Sequence, residues 1–100
     1  MSGNDARVLL DLNLPTFQDA FFELEPVELK RVLKTLKKLR CLSWNELFRD
    51  HGLKWEELKS RPGVYTLRVS QSYRAIATRG GDYLRFVMLH PEHDGAYGKK

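Results

Sequence analysis

Val64–Tyr97 reads VYTLRVSQSYRAIATRGGDYLRFVMLHPEHDGAY, and the fold turns on how this stretch divides. From Val64, Tyr65, Leu67 and Val69 alternate with Thr66, Arg68 and Ser70, the pattern of a strand with one face buried. Tyr73–Thr78 and Asp82–Leu89 follow as two further strands. Gly80-Gly81 between them predicts a two-residue hairpin loop, because glycine enters the positive-φ region of such turns without steric cost. In that register Arg79 faces Asp82, Ala77 faces Leu84, Ala75 faces Phe86 and Tyr73 faces Met88. Opposed residues share a face. One expected face is therefore Tyr73, Ala75, Ala77, Leu84, Phe86 and Met88, apolar, with alanines where a helix can approach. The other is Arg74, Ile76, Thr78, Tyr83, Arg85 and Val87, and strand alternation adds Arg68 to it.

The upstream chain supplies the support for this sheet. Ala6–Leu14 is rich in β-formers and predicts a first strand, with Val8, Leu10, Leu12 and Leu14 on one face and Pro15 ending it. Thr16 and Asp19 resemble a capping box that opens a short helix through Phe17, Ala20, Phe21 and Leu24. Pro26 is well placed as the first residue of a second helix, Pro26–Leu39, with Glu28 in its acidic first turn. Its apolar stripe is Leu29, Val32, Leu33, Leu36 and Leu39, and its basic face includes Lys34, Lys37 and Lys38. Ser43-Trp44-Asn45-Glu46 is a capping box for a third helix over Trp44–His51, with Trp44, Leu47 and Phe48 inward and Gly52 as its stop. Lys54–Leu58 reads as a turn or connector, and Arg61-Pro62-Gly63 as a break. The expected class is α+β in one domain, residues 1–100: an N-terminal strand, two to three helices, then a three-stranded antiparallel run completing one sheet packed on the helices.

Charge is unevenly distributed. Residues 1–50 hold eight Lys and Arg against eight Asp and Glu, whereas residues 51–100 hold nine against five, so the whole net charge of +4 sits in the strand-rich half. This favours a polyanionic partner. No apolar run reaches the roughly 18 residues a membrane span needs, and Met1–Arg7 is too polar for a signal peptide. With one cysteine, Cys41, an internal disulfide is excluded, and a cytoplasmic location without a membrane partner is expected.

The chemistry is concentrated after the last strand, in Leu89-His90-Pro91-Glu92-His93-Asp94-Gly95-Ala96-Tyr97. His90 and His93 with Asp94 could ligate zinc, but a fourth ligand is not evident and Cys41 is far away in sequence, so no metal or cofactor is assigned. Acid–base chemistry suits these residues better. Histidine titrates near neutrality, arginine stabilises a phosphoryl transition state, and a tyrosine can stack on a base. RNA carries its own nucleophile, the 2′-OH. His51 reads as a helix-end residue favourable to the dipole, Lys54 as a solvated lysine or a phosphate contact, and Trp44 and Trp55 as core. Lys34, Lys37 and Lys38 read as a solvated face or as a cationic rim beside a nucleic-acid groove.

The order of strand, helices and antiparallel strands resembles the RelE/ParE toxin superfamily of bacterial toxin–antitoxin systems. The likeness rests on Tyr65-Thr66-Leu67-Arg68-Val69, Tyr73-Arg74-Ala75-Ile76 and a C-terminal Tyr97. The tail LHPEHDGAY resembles a subgroup described as cytotoxic translational repressors. For the RelE-like branch, the resemblance implies a microbial-ribonuclease-like fold that cuts mRNA in the ribosomal A site and is neutralised by a cognate antitoxin. It implies that Arg74 contacts the scissile phosphate, that Arg68 is a second phosphate contact, and that Tyr97 orients the base. Lys54, Arg85, Tyr83, Lys34, Lys37 and Lys38 become candidate RNA or ribosome contacts. Where RelE carries a basic cluster this chain has His90, Glu92 and His93, so either histidine can be the acid or base. Two alternatives stand beside this reading: a ParE-like poison of DNA gyrase, and a non-catalytic module that binds nucleic acid or protein.

Overall fold

The hairpin expected at the paired glycines is present, displaced by one residue. In a computed structural model describing residues 3–92, Gly80 pairs with Tyr83, so the two-residue loop is Gly81-Asp82 rather than Gly80-Gly81. Gly81 takes the positive φ of 61°. Tertiary contacts decide between the two glycine positions. The Asp82 carbonyl accepts the Leu9 N–H at 3.0 Å and the Trp44 Nε1–H at 3.1 Å, which fixes Asp82 in the loop.

After a short 3-10 turn at Gly3–Asp5, the elements are β1 (Leu9–Asp11), α1 (Pro15–Phe22), α2 (Pro26–Leu39), α3 (Trp44–Arg49), β2 (Glu56–Glu57), β3 (Val64–Arg68), β4 (Tyr73–Gly80) and β5 (Tyr83–Pro91). They build one five-stranded sheet in the order β1-β5-β4-β3-β2. β1 runs parallel to β5, and the other pairings are antiparallel. The expected α+β class holds. β2 takes the place of the expected connector, and its two glutamates give no β-propensity signal to announce it.

Between the loop and Ala77 the shift moves each β4–β5 pair by two positions, and an even shift leaves the faces unchanged. Ala77 opposes Phe86 and Arg79 opposes Leu84. A bulge then intervenes: Ala77 pairs with Phe86 but Ile76 with Met88, leaving Val87 as the extra residue of β5. The Val87 carbonyl accepts a hydrogen bond from Thr16 Oγ1 at 2.7 Å. Thr16 therefore ties α1 to the bulge and does not cap the helix; Leu14 is the N-cap, without a side-chain bond, and Pro15 opens α1.

Beyond the bulge the alternation of β5 is reversed relative to the sequence. Leu89 turns to the core opposite Ala75, while Met88 joins Ile76 and His90 joins Arg74. Met88 is thus 36% exposed, not the core residue an unbroken ladder would make it.

The helices cover the face carrying Leu67, Ala75, Ala77, Leu84, Phe86 and Leu89, all buried. Phe17 of α1 meets Phe86 with ring centroids 5.2 Å apart. α2 has the expected bounds and buries Val32, Leu36 and Leu39, but Leu33 lies outside its stripe and is 43% exposed. α3 ends at Arg49. Its capping box is formed, with the Glu46 N–H donating to Ser43 Oγ at 3.1 Å and the Ser43 N–H to Glu46 Oε1 at 2.9 Å. Trp44 and Leu47 are buried, whereas Phe48 is exposed. Trp55 is partly buried against the core, stacked on Tyr65 at 4.5 Å.

Candidate active site

Strand register assembles a row of side chains on the sheet face that the helices leave open. Arg68 of β3 is the partner of Arg74 of β4, and Arg74 is the partner of His90 of β5. Cross-strand partners share a face, so Arg68, Arg74 and His90 stand side by side. His90 is exposed. It reaches this face only because of the bulge at Val87.

Arg74 is held from several directions. Its Nη2 donates to Thr66 Oγ1 at 2.7 Å and to the Lys54 carbonyl at 3.4 Å. Glu56 Oε1 lies 4.0 Å away across the end of the sheet. Lys54 adopts φ 50°, and its contribution to the row is that carbonyl.

Two arginines directly opposed across strands repel each other, and Glu92 offsets this. Its Oε2 lies 3.4 Å from Arg68 Nη2 and 3.5 Å from Arg74 Nη1. The Glu92 N–H donates to the Ser72 carbonyl at 2.6 Å, so the β4–β5 pairing extends just far enough to place it. Glu92 lies two residues past His90, on the same face by alternation, and its side chain is 9% exposed. Arg68 Nε is buried with no hydrogen-bond partner among the described residues.

The other expected contacts are dispersed. Arg85 projects from the same face but opposes Thr78, four residues along β4 from Arg74, about 13 Å at ~3.3 Å per residue. Its Nε donates to Asp11 Oδ2 at 2.9 Å. This bond, followed by the Asn13 backbone N–H, holds the Asp11 carboxyl below its ordinary value. Tyr83, 51% exposed, lines a shallow cavity of about 380 Å³ with Asp11, Arg79 and Arg85. Lys38 lines a cavity of about 200 Å³ with Arg68, but its Nζ is 2.7 Å from Asp50 Oδ2. Lys34 and Lys37 are exposed on α2, in the helical layer. His51 and Lys54 border a cavity of about 410 Å³ with Phe48 and Trp55, beyond α3. His93 and Tyr97, like Asp94, lie outside the described residues.

Thr66 and Glu92 were not singled out as site residues from sequence. Thr66 was within reach, since it is two positions from Arg68 on an alternating strand. The place of Glu92 depends on a bulge within Phe86-Val87-Met88-Leu89, four apolar residues with no alternation to reveal it.

The architecture is that of the RelE-type toxins of type II toxin–antitoxin systems. The archaeal RelE–RelB complex from Pyrococcus horikoshii matches with a TM-score of 0.63 at 16% identity, over 86% of this chain and 96% of that one. The RelB–RelE antitoxin–toxin complex from Methanococcus jannaschii matches with a TM-score of 0.61 at 17% identity, over 92% and 98%. The DinJ–YafQ toxin–antitoxin complex from E. coli matches with a TM-score of 0.61 at 19% identity, over 93% and 100%. By sequence, no family model and no curated protein matches the chain. No helix among the described residues is long and apolar enough to cross a membrane.

Proposed function

We propose that this protein is a toxin of a toxin–antitoxin system that cleaves mRNA on the ribosome and is held inactive by a cognate antitoxin. The observation that carries the reading is the row of Arg68, Arg74 and His90 on the open sheet face, formed by register across three strands. The matching solved structures include toxins in complex with antitoxins, which supports the partner.

In the proposed reaction His90 or His93 takes the proton from the ribose 2′-OH. The 2′ oxygen then bonds to phosphorus, the bond from phosphorus to the 5′ oxygen breaks, and the leaving oxygen takes a proton from the other histidine, acting as acid, or from water. Arg68 and Arg74 stabilise the charge that builds on the phosphoryl oxygens, and Tyr97 positions the base by stacking. The scheme calls on no metal or cofactor. Lys54, Tyr83, Arg85 and the α2 lysines are at most outer contacts with RNA or ribosome.

A purified translation reaction tests this. The wild-type chain is expected to cut ribosome-bound mRNA, and Arg74→Ala and Tyr97→Ala to abolish the cuts while their circular dichroism stays native. Full cleavage by both variants overturns the site. Inhibition of gyrase supercoiling without any mRNA cleavage replaces the reading with that of a gyrase poison.

A further inference from the structure

The Arg68–Arg74 cradle is already occupied by an anion from the chain itself. One carboxylate oxygen of Glu92 faces both guanidinium groups, at 3.4 Å and 3.5 Å. Those are the groups expected to meet a scissile phosphate. A carboxylate and a phosphodiester each carry one negative charge and offer acceptor oxygens of similar reach, so they compete for the same donors.

The contact is built loosely. Charge-assisted N–H···O bonds run at about 2.7–2.9 Å, and Arg74 achieves that with Thr66 Oγ1 at 2.7 Å. Glu92 holds neither arginine at that distance, and Arg68 Nε has no partner among the described residues. Thr66 fixes the cradle, while Glu92 is an exchangeable occupant. Its backbone is held by one hydrogen bond, from its N–H to the Ser72 carbonyl at 2.6 Å just beyond the Tyr73–Pro91 pair, which leaves the side chain free to turn away from the arginines.

We propose that Glu92 is a resident anion that stands in for the phosphodiester of single-stranded RNA, so that substrate binds only by displacing it. This deepens the ribonuclease reading and rests on it for the identity of the substrate. With Glu92 seated, one carboxylate lies against both guanidinium groups, Arg74 having Glu56 Oε1 at 4.0 Å besides, and the like-charged pair is relieved. When the carboxylate swings out, both charges face the incoming phosphate. Substrate affinity is reduced in proportion to the fraction of time the cradle is open.

The test measures binding, not cleavage. The full chain and its Glu92→Gln, Glu92→Ala and Glu92→Asp variants are titrated with an oligoribonucleotide carrying a 2′-deoxy residue at the scissile position. In parallel, inorganic phosphate is scored by its upward shift of Tm. Glu92→Gln and Glu92→Ala are expected to bind the oligonucleotide roughly five- to tenfold more tightly, the size of effect that one or two partly exposed ion pairs can exert. Glu92→Asp should fall between them and wild type. Phosphate should raise the Tm of the neutral variants more than that of wild type, a measurement that still reports if they are destabilised. Equal or weaker binding by the neutral variants, or loss of cleavage with binding unchanged, overturns the proposal and makes Glu92 a structural or proton-transferring group. Tighter binding by the variants of a chain that cuts no mRNA keeps the resident anion and removes the ribonuclease reading. Cleavage by wild type with no gain in binding does the reverse.

Discussion

The two ends of the open sheet face carry arginines in opposite circumstances. At one end Arg85 is committed to Asp11 at 2.9 Å, a one-to-one pair that ties β5 to β1. At the other, Arg68 and Arg74 share one oxygen of Glu92 at 3.4 and 3.5 Å, Glu56 lies 4.0 Å from Arg74, and His90 is next in the row. Both ends are basic in sequence, and only one keeps cationic capacity unspent. Positive charge alone does not single out the proposed phosphate site; what distinguishes that end is charge only loosely compensated and held in place by Thr66.

Removing one arginine from each end should separate the two ends most strongly. On the proposed reading Arg74→Ala is expected to lower mRNA cleavage by about 10²–10³-fold, the usual loss when one donor to a developing oxyanion is deleted. Arg85→Ala should change it by less than about threefold, as for an exposed pair outside the reacting centre. Equal losses in a purified translation reaction would erase the distinction between the ends. Thr66→Val sharpens it further. It removes the 2.7 Å bond that aims Arg74 while keeping the arginine, and about a tenfold loss of cleavage with native Tm is expected. The Thr66→Ser variant, which retains the hydroxyl, should restore most of the rate.

The same face shows where sequence reasoning reaches and where it stops. Period-two alternation was enough to put Arg68, Arg74 and Arg85 on one side and Ala75, Ala77, Leu84 and Phe86 on the other, because the one-residue error in the loop shifted the pairing by an even number. Local chemistry was also sufficient for α2, opened by Pro26, and for the Ser43–Glu46 box. What local patterns could not supply was anything decided by a distant partner. The Asp82 carbonyl is bonded by Leu9 and Trp44, and the carbonyl of the bulged Val87 by Thr16 across 71 residues. The pairing of Arg74 with His90 and the seating of Glu92 both follow from that bulge. An arginine face was therefore legible, but the completed row was not.

The bulge itself can be probed by Thr16→Val, which keeps side-chain shape and deletes the hydroxyl donor. Losing one hydrogen bond to a backbone carbonyl costs about 1 kcal/mol, which corresponds to a Tm lower by about 4–8 °C in a domain of this size. The effect should fall on stability first, with substrate affinity changed less than by Thr66→Val. An unchanged Tm would show that the bulge persists without α1 and that its position is set within β5.

The smallest expected effect belongs to the Asp11–Arg85 end and is read from pH. The Asp11 carboxyl is held below its ordinary value of 3.8, chiefly by the hydrogen bond from Arg85 and then by the Asn13 backbone N–H. A carboxyl that is more acidic in the folded chain than in the unfolded one binds fewer protons when folded. Its stabilisation is therefore fully present above the unfolded value and is lost as pH falls through the folded value. Asp11→Asn abolishes that titration while the similarly depressed Asp50, bonded to Lys38, continues in both proteins and cancels. Denaturant unfolding of the two chains should show wild type slightly more stable near neutrality, with the gap narrowing below 3.8 and closing in stronger acid. The Arg68–Arg74 end contributes nothing to this difference, so Asp11→Asn should leave oligonucleotide binding at that cradle unchanged. A gap that stays constant down to acid would mean that Arg85 does not hold Asp11 as an ion, and that the two ends of the face are less different than their geometry makes them.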